Sequence, residues 1–161
     1  MAARSRKTAP KAKARAKPRG AKAPAALARW REGSDQLEAL AKATSEALVG
    51  GSVAGARQAF GDYQALLLQH LTREEDFVFP AAEKRAPAQG GPIKSLRVAH
   101  IGIRKDLARI GAHLELGHAE AARAVFGAFL ESFAAHERLE DQLEALLGKS
   151  PAGTGPRRRS G

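Results

Sequence analysis

The sequence predicts an all-α protein, an antiparallel up-down-up-down four-helix bundle with a disordered basic tail at each end. Four segments carry apolar residues at alternating steps of three and four, which is the spacing of one helix face. Glycine or proline separates these segments by short connections, as in bundles whose consecutive helices are neighbours. Strands are not expected, because β-branched residues are few and no segment alternates with a period of two.

Turn and cap residues set the predicted helix boundaries. The four helices are expected at about 25–49, 53–79, 92–116 and 119–147. Ser52 is the predicted N-cap of the second helix. Pro80 is predicted to end that helix, and 81–91 to form a loop. Pro92 suits the first turn of the third helix, and Gly117 separates the third from the fourth.

Apolar stripes predict which face of each helix is buried. On the fourth helix the predicted stripe is Ala122, Val125, Phe129, Ser132, His136, Leu139, Leu143 and Leu146, with Glu140 beside it. The stripe of the second helix includes His70, Glu74 and Phe77. Polar residues therefore interrupt two stripes that are otherwise made of core residues.

Charge divides the chain into three parts. Residues 1–24 contain nine Lys or Arg and no acid, and 149–161 contain four more and no acid. The remaining part, 25–148, carries about −3, although the whole chain has a net charge of +10. Because the tails lack large apolar residues, we expect them to be disordered and 25–148 to form the folded domain.

Several classes of protein are excluded by composition. There is no cysteine, so disulfides, zinc–thiolate sites and thiol nucleophiles are ruled out. No apolar run approaches the length of a membrane span, and the basic N-terminus has no apolar signal core. No glycine-rich phosphate loop or nucleophile motif is present. We therefore expect a soluble, cytoplasmic monomer that is not an enzyme.

Five polar residues fall on the buried stripes at one depth of the bundle. They are His70, Glu74, His100, His136 and Glu140, and we call them the polar layer. Counting from the helix ends at about 1.5 Å per residue places this layer roughly 12–17 Å from one end of the bundle. Ser34 on the first helix lies at the same depth. His70 and Glu74, like His136 and Glu140, are one helical turn apart and share a face.

A metal ion is the predicted occupant of the polar layer. Burying histidines and carboxylates is costly unless they satisfy one another or bind a ligand. Imidazole with carboxylate suits iron, manganese or zinc, and the alternative is a hydrogen-bonded layer without metal. Glu75 and Asp76 are expected to face solvent or to accept a histidine N–H. His113 and His118 are expected to be surface residues.

Three motifs resemble the hemerythrin-like, or HHE cation-binding, family. They are HLTREEDFVFP with His70 and Glu74, SLRVAHIGIRKDL with His100, and His136-Glu-Arg-Leu-Glu140. The resemblance covers about 27–147. It implies a four-helix bundle with a non-haem di-iron centre that binds O₂ or responds to oxygen, nitric oxide or iron. It also implies that Glu74 and Glu140 bridge the metals and that the three histidines are terminal ligands.

Two positions depart from the pattern of that family. Ser34 stands where the first helix normally has a histidine, and Arg104 stands where some members have a second histidine on the third helix. Glu38, one turn after Ser34, offers a substitute oxygen. Three states are therefore open. They are a weakened dimetal site, one metal bound by His100, His136 and a glutamate, or a metal-free layer in which Arg104 pairs with Glu74 or Glu140.

The basic tail supports a second hypothesis, a nucleic-acid-associated protein with a metal-free bundle. The segment Lys-Ala-Lys-Ala-Arg-Ala-Lys-Pro within 1–24 resembles the tails of histone H1-like proteins. Spaced positive charge without aromatic residues favours binding to DNA or RNA phosphates without reading the sequence. The alternative for this segment is a solubilising extension.

Overall fold

A computed structural model of the protein describes residues 33–148. Both predicted tails and 25–32 of the first predicted helix lie outside the described residues, so the predicted domain division stays a prediction. The described helices are α1 (Ser34–Val49), α2 (Val53–Arg73), α3 (Phe79–Arg85), α4 (Gly90–Glu115) and α5 (Ala119–Gly148). A π-helical turn, Glu74–Val78, joins α2 to α3, and a 3₁₀ turn, Pro87–Gln89, leads into α4. This part of the chain contains no strand.

The long helices form the predicted bundle. Helix α1 packs against α2 and α5, and α4 packs against the same two helices on the other side. Ser52 caps α2 as predicted, because its hydroxyl accepts a hydrogen bond from Gly55 N at 3.2 Å. Gly117 ends α4 with a φ of 74°, a left-handed conformation that favours glycine. None of the described helices is long and apolar enough to cross a membrane.

The prediction that Pro80 ends the second helix was wrong. Proline has no N–H, and its ring clashes with the carbonyl four residues earlier in a regular α-helix. Here the chain widens into the π-helical turn just before Pro80, and Phe79 N bonds to Glu74 O, five residues back. The widened turn admits the proline ring, so that helix continues as α3 to Arg85, through the first five residues of the predicted loop.

Two apolar clusters fill the bundle, one on each side of the polar layer. The larger cluster includes Phe60, Tyr63, Phe126 and Phe129, whose rings meet mainly edge to face. The smaller cluster consists of Val78, Phe79, Ala82, Ile93, Leu96, Leu143 and Leu147. Along α2, α4 and α5 the polar residues lie between these clusters in sequence. Apolar packing therefore encloses the layer from above and below.

On α5, every second residue of the predicted stripe is replaced in the core by the residue that follows it in the sequence. Phe126, Phe133 and Glu140 are buried, whereas Val125 is half-buried, Ser132 is exposed and Leu139 is 43% exposed. Burying phenylalanine removes more apolar surface from water than burying valine or serine, so the helix faces the core with its phenylalanines. The same kind of shift affects the π-helical turn, where Val78 is buried and Phe77 is half-buried.

Candidate metal centre

The structure brings all five residues of the polar layer together. His70 lies near the end of α2, Glu74 begins the π-helical turn, His100 lies on α4, and His136 and Glu140 lie on α5. All five are buried, with exposures from 0% for His100 to 8% for Glu140. Buried charged groups of this kind are rare unless they are paired or bind an ion.

Short nitrogen–oxygen distances link the members of the layer. Glu74 lies between two histidines, with Oε1 3.1 Å from His70 Nε2 and Oε2 3.2 Å from His100 Nε2. On α5, His136 Nε2 is 2.7 Å from Glu140 Oε1. One donor atom from each of Glu74, His100, His136 and Glu140 lies within 4.8 Å of the other three. These four residues form a group of the right size and chemistry for a metal ion.

The donor atoms of the layer lack hydrogen-bond partners despite these short distances. Seven buried atoms are unpartnered: His70 Nδ1, both carboxylate oxygens of Glu74, His100 Nε2, both ring nitrogens of His136, and Glu140 Oε1. An unsatisfied buried polar atom costs about 1–3 kcal/mol. A cation coordinated by these atoms would remove most of that cost. The residues present therefore fit a metal ion.

The pKa directions in the layer follow from burial and from the facing carboxylates and histidines. Burial alone raises the pKa of Glu74, but the facing His100 and His70 outweigh it and lower that pKa to about 2. Burial and the charge of Glu74 raise the pKa of Glu140, against the pull of His136. Burial lowers the pKa of His70, and the two carboxylates outweigh it, so that pKa is raised. Glu74 therefore stays ionised as an anionic donor.

A second set of contacts holds the imidazole of His100 at Nδ1, the ring nitrogen that does not face Glu74. Its Nδ1 is 2.8 Å from Glu75 Oε1, and Arg104 donates to both oxygens of Glu75, at 2.8 and 3.1 Å. The ring of Phe79 lies 5.3 Å from the imidazole, centroid to centroid. Burial raises the pKa of Glu75, but Arg104 and His100 outweigh it and lower that pKa. Glu75 thus takes the predicted role of an acceptor beside a histidine.

Arg104 has a different partner from the two considered for a metal-free layer. It pairs with Glu75 rather than with Glu74 or Glu140. The physical reason is that Glu74 points inward to the buried histidines, whereas the next residue along the turn reaches the half-exposed edge of α4. A guanidinium at that edge makes a bidentate pair without being fully buried.

The α1 side of the layer opens onto a small cavity. Its volume is about 40 Å³, and its lining is Ser34, Leu37, His70, Glu137, Glu140, Asp141 and Glu144. The three outer carboxylates, Glu137, Asp141 and Glu144, were not predicted as site residues, although the spacing of HERLEDQLE places them around Glu140 on α5. Glu38 is exposed and lines a neighbouring cavity with Tyr63 instead, so it does not take the predicted role of substitute ligand.

The two remaining histidines lie outside the layer. His118 is exposed as predicted, whereas His113 is half-buried, with its ring 6.2 Å from that of His118. Neither belongs to the group that could hold an ion among the described residues.

Comparison with known proteins gives one finding. The family model of the hemerythrin HHE cation binding domain matches residues 28–147, which is most of the chain and includes the whole polar layer. Searches of curated proteins and of solved structures returned no match.

Proposed function

The chain belongs to the hemerythrin HHE cation-binding family, and from this premise we propose that it binds non-haem iron in the polar layer. The role we propose for the iron is oxygen or nitric oxide binding, iron handling or sensing. The observation that carries the proposal is the buried group of Glu74, His100, His136 and Glu140, in which one ligand atom from each residue lies within 4.8 Å of the others and every residue has an unpartnered polar atom.

Nitrogen and oxygen donors define the class of metal. The proposed ligands are Glu74, His100, His136 and Glu140, with His70 beside them. Imidazole and carboxylate together suit iron, manganese and zinc, and membership of the family favours iron. Iron, when bound, supplies reversible coordination of a diatomic molecule and a change of oxidation state.

The surrounding residues control access to the layer. The two apolar clusters exclude water from above and below. The cavity beside Ser34 leads to His70 and Glu140, and its volume of about 40 Å³ exceeds what one water molecule needs. A molecule as small as O₂ or nitric oxide fits there. The proposed role is therefore the binding of such a molecule.

Anaerobic loading with Fe(II) tests this proposal. We expect at least about 0.8 iron per chain after desalting, and an absorption change when O₂ or nitric oxide is added. His100→Ala should abolish retention, and His113→Ala, on the same helix but outside the layer, should not. Iron below about 0.2 per chain, unchanged by His100→Ala, would contradict the proposal.

A second candidate function rests on the composition of 1–24. Nine basic residues without an acid favour sequence-independent attraction to nucleic-acid phosphates. We expect the full chain to retard duplex DNA at low salt, and deletion of 1–24 to abolish the retardation. Equal retardation by the shortened chain would count against this candidate, whatever the result with iron.

A further inference from the structure

We propose that the acidic cavity on the α1 side of the layer is the route by which a divalent cation enters the centre. The ion first meets three carboxylates of α5, which we call the entry carboxylates: Glu137, Asp141 and Glu144. They hold it transiently and pass it inward to Glu140 and His70. This inference rests on the proposed metal-binding function and adds how the ion reaches the buried site.

The entry carboxylates lie on the same face of α5 as the buried Glu140. In HERLEDQLE they are spaced by four and three residues, and Glu140 follows the first of them by three. Glu137 and Asp141 are exposed, Glu144 is half-buried and Glu140 is 8% exposed. The row of carboxylates therefore leads from the protein surface to the layer.

Two buried residues of the layer line the same cavity as the entry carboxylates. They are His70 and Glu140. His70 is 7% exposed, and its Nδ1 has no hydrogen-bond partner, like Oε1 of Glu140. Imidazole nitrogens and carboxylate oxygens are both ligands for divalent metals. The inner end of the cavity therefore offers ligand atoms to an arriving ion.

A second cavity, which we call the outer cavity, adjoins the first. The linings of the two cavities share Ser34, Leu37 and Glu137. The outer cavity has a volume of about 220 Å³. That is enough for a divalent ion with about six waters, since each water takes roughly 30 Å³ in the liquid. A hydrated ion therefore has room to reach Glu137, which lies where the two cavities meet.

The charge of both linings favours a cation. Among the described residues, no lysine or arginine lines either cavity, whereas Asp35 and Glu38 add two carboxylates to the outer one. Burial and the negative charge of Glu137 raise the pKa of Tyr63, which lines the outer cavity. Negative charge in a cleft concentrates cations and speeds their arrival. O₂ and nitric oxide are neutral and gain nothing from it, so the charge indicates a route for the metal.

The rate of metal loading tests this route. Metal-free full-length protein is mixed with Co²⁺ in a stopped-flow instrument, and the visible absorption of bound Co²⁺ follows the loading. The test variant replaces each entry carboxylate by its amide, E137Q/D141N/E144Q. We expect loading to slow by at least about tenfold at low salt, because attraction by a charged cleft speeds association by about 10–10³-fold. Added salt should reduce this difference, because it screens the charges.

A control variant removes the same charge at three exposed positions outside both cavities, E115Q/E120Q/E131Q. We expect it to load within about twofold of the wild type. A rate for the test variant within about fivefold of this control would overturn the proposed route, while the metal-binding function would stand. If the wild type takes up no Co²⁺ at equilibrium, the metal-binding function itself fails, and the route with it.

A single substitution keeps the route testable if circular dichroism melts show that the test variant does not fold. Glu137 is exposed, so Glu137→Lys disturbs little packing and places a positive charge where the two cavities meet. Loading should slow by at least about fivefold, whereas Glu131→Lys, at an exposed position on the same helix, should change it by less than about twofold. Equal loading rates for these two lysine variants would overturn the inference.

Discussion

The two sides of the polar layer, one facing α4 and the other facing α1, are built differently. On the α4 side, His100 is fully buried, Glu75 holds its Nδ1, and Phe79 lies against its ring, which leaves Nε2 facing Glu74 at 3.2 Å. On the α1 side, the layer ends at Ser34 and a cavity of about 40 Å³. The same layer is thus closed and rigid on one side and open on the other.

This difference separates two tasks that a binding centre has to perform. Ligands that are fixed by outer hydrogen bonds bind metal without paying an orientation cost at the moment of binding. An open side leaves room for a small molecule to reach the centre. We infer that the α4 side determines metal affinity and that the α1 side determines access.

The largest expected effect follows from removing one imidazole from each side. His100→Ala removes a buried ligand whose Nδ1 is held by Glu75, and we expect a loss of at least about 100-fold in metal affinity. His70→Ala removes the histidine next to the cavity, and we expect a loss of about tenfold. Competition for Co²⁺ with a chromophoric chelator measures both. Equal losses would show that the two sides contribute alike.

The next largest change in metal affinity is expected from removing Glu75, which contacts His100 on the α4 side. Glu75→Ala removes the acceptor of His100 Nδ1 and leaves Arg104 without its carboxylate. Loss of such an outer partner typically lowers metal affinity by about 10–100-fold. The matched control is Asp76→Asn, because Asp76 is the exposed neighbour on the same turn. If Glu75→Ala kept a metal affinity within about twofold of the wild type, packing alone would orient His100.

Local patterns in the sequence were sufficient to predict the bundle and the composition of the layer. The steps of three and four, the Ser52 cap and the Gly117 break are local signals, and the structure follows them. The common depth of His70, His100 and His136 follows from helix rise alone. These features depend on spacing within single helices, which the sequence displays directly.

Other features of the structure could not be predicted from the sequence, and most of them depend on contacts between helices. The π-helical turn arises from the clash that Pro80 would make in a regular helix, and the pattern of residues does not distinguish it from a helix end. The partner of Arg104 depends on which carboxylate of the Glu74-Glu75 pair faces inward. The exposed position of Leu139 depends on how α5 rotates to bury Phe133. The last two are decided by packing between helices rather than by local spacing.

Adding an imidazole to the open side should make the two sides more alike, with a moderate gain. Ser34→His places a donor beside His70 and Glu140, on the wall of the cavity. We expect metal affinity to rise by about threefold to tenfold, because a further ligand adds to a site that already binds. The control is Asp35→His, which adds the same side chain at the exposed neighbouring position. A matching gain in that control would trace the effect to general histidine binding at the surface.

The smallest expected effect tests how far the closed side extends. Arg97 lies over the outer face of Phe79, 5.1 Å from the ring centroid, and Phe79 in turn contacts His100. Arg97→Ala removes a cation–π contact at a half-exposed position, so the free energy of unfolding should fall by about 0.5–1 kcal/mol. Metal affinity should stay unchanged, because the hydrogen bond from His100 Nδ1 to Glu75 and the buried ring of Phe79 remain. Lys94→Ala, at an exposed position one turn earlier on α4, is the control for loss of a positive charge. If Arg97→Ala lowered metal affinity as much as Glu75→Ala, ring stacking would contribute to orienting His100 as strongly as its hydrogen bond, and the closed side would extend to the helix surface.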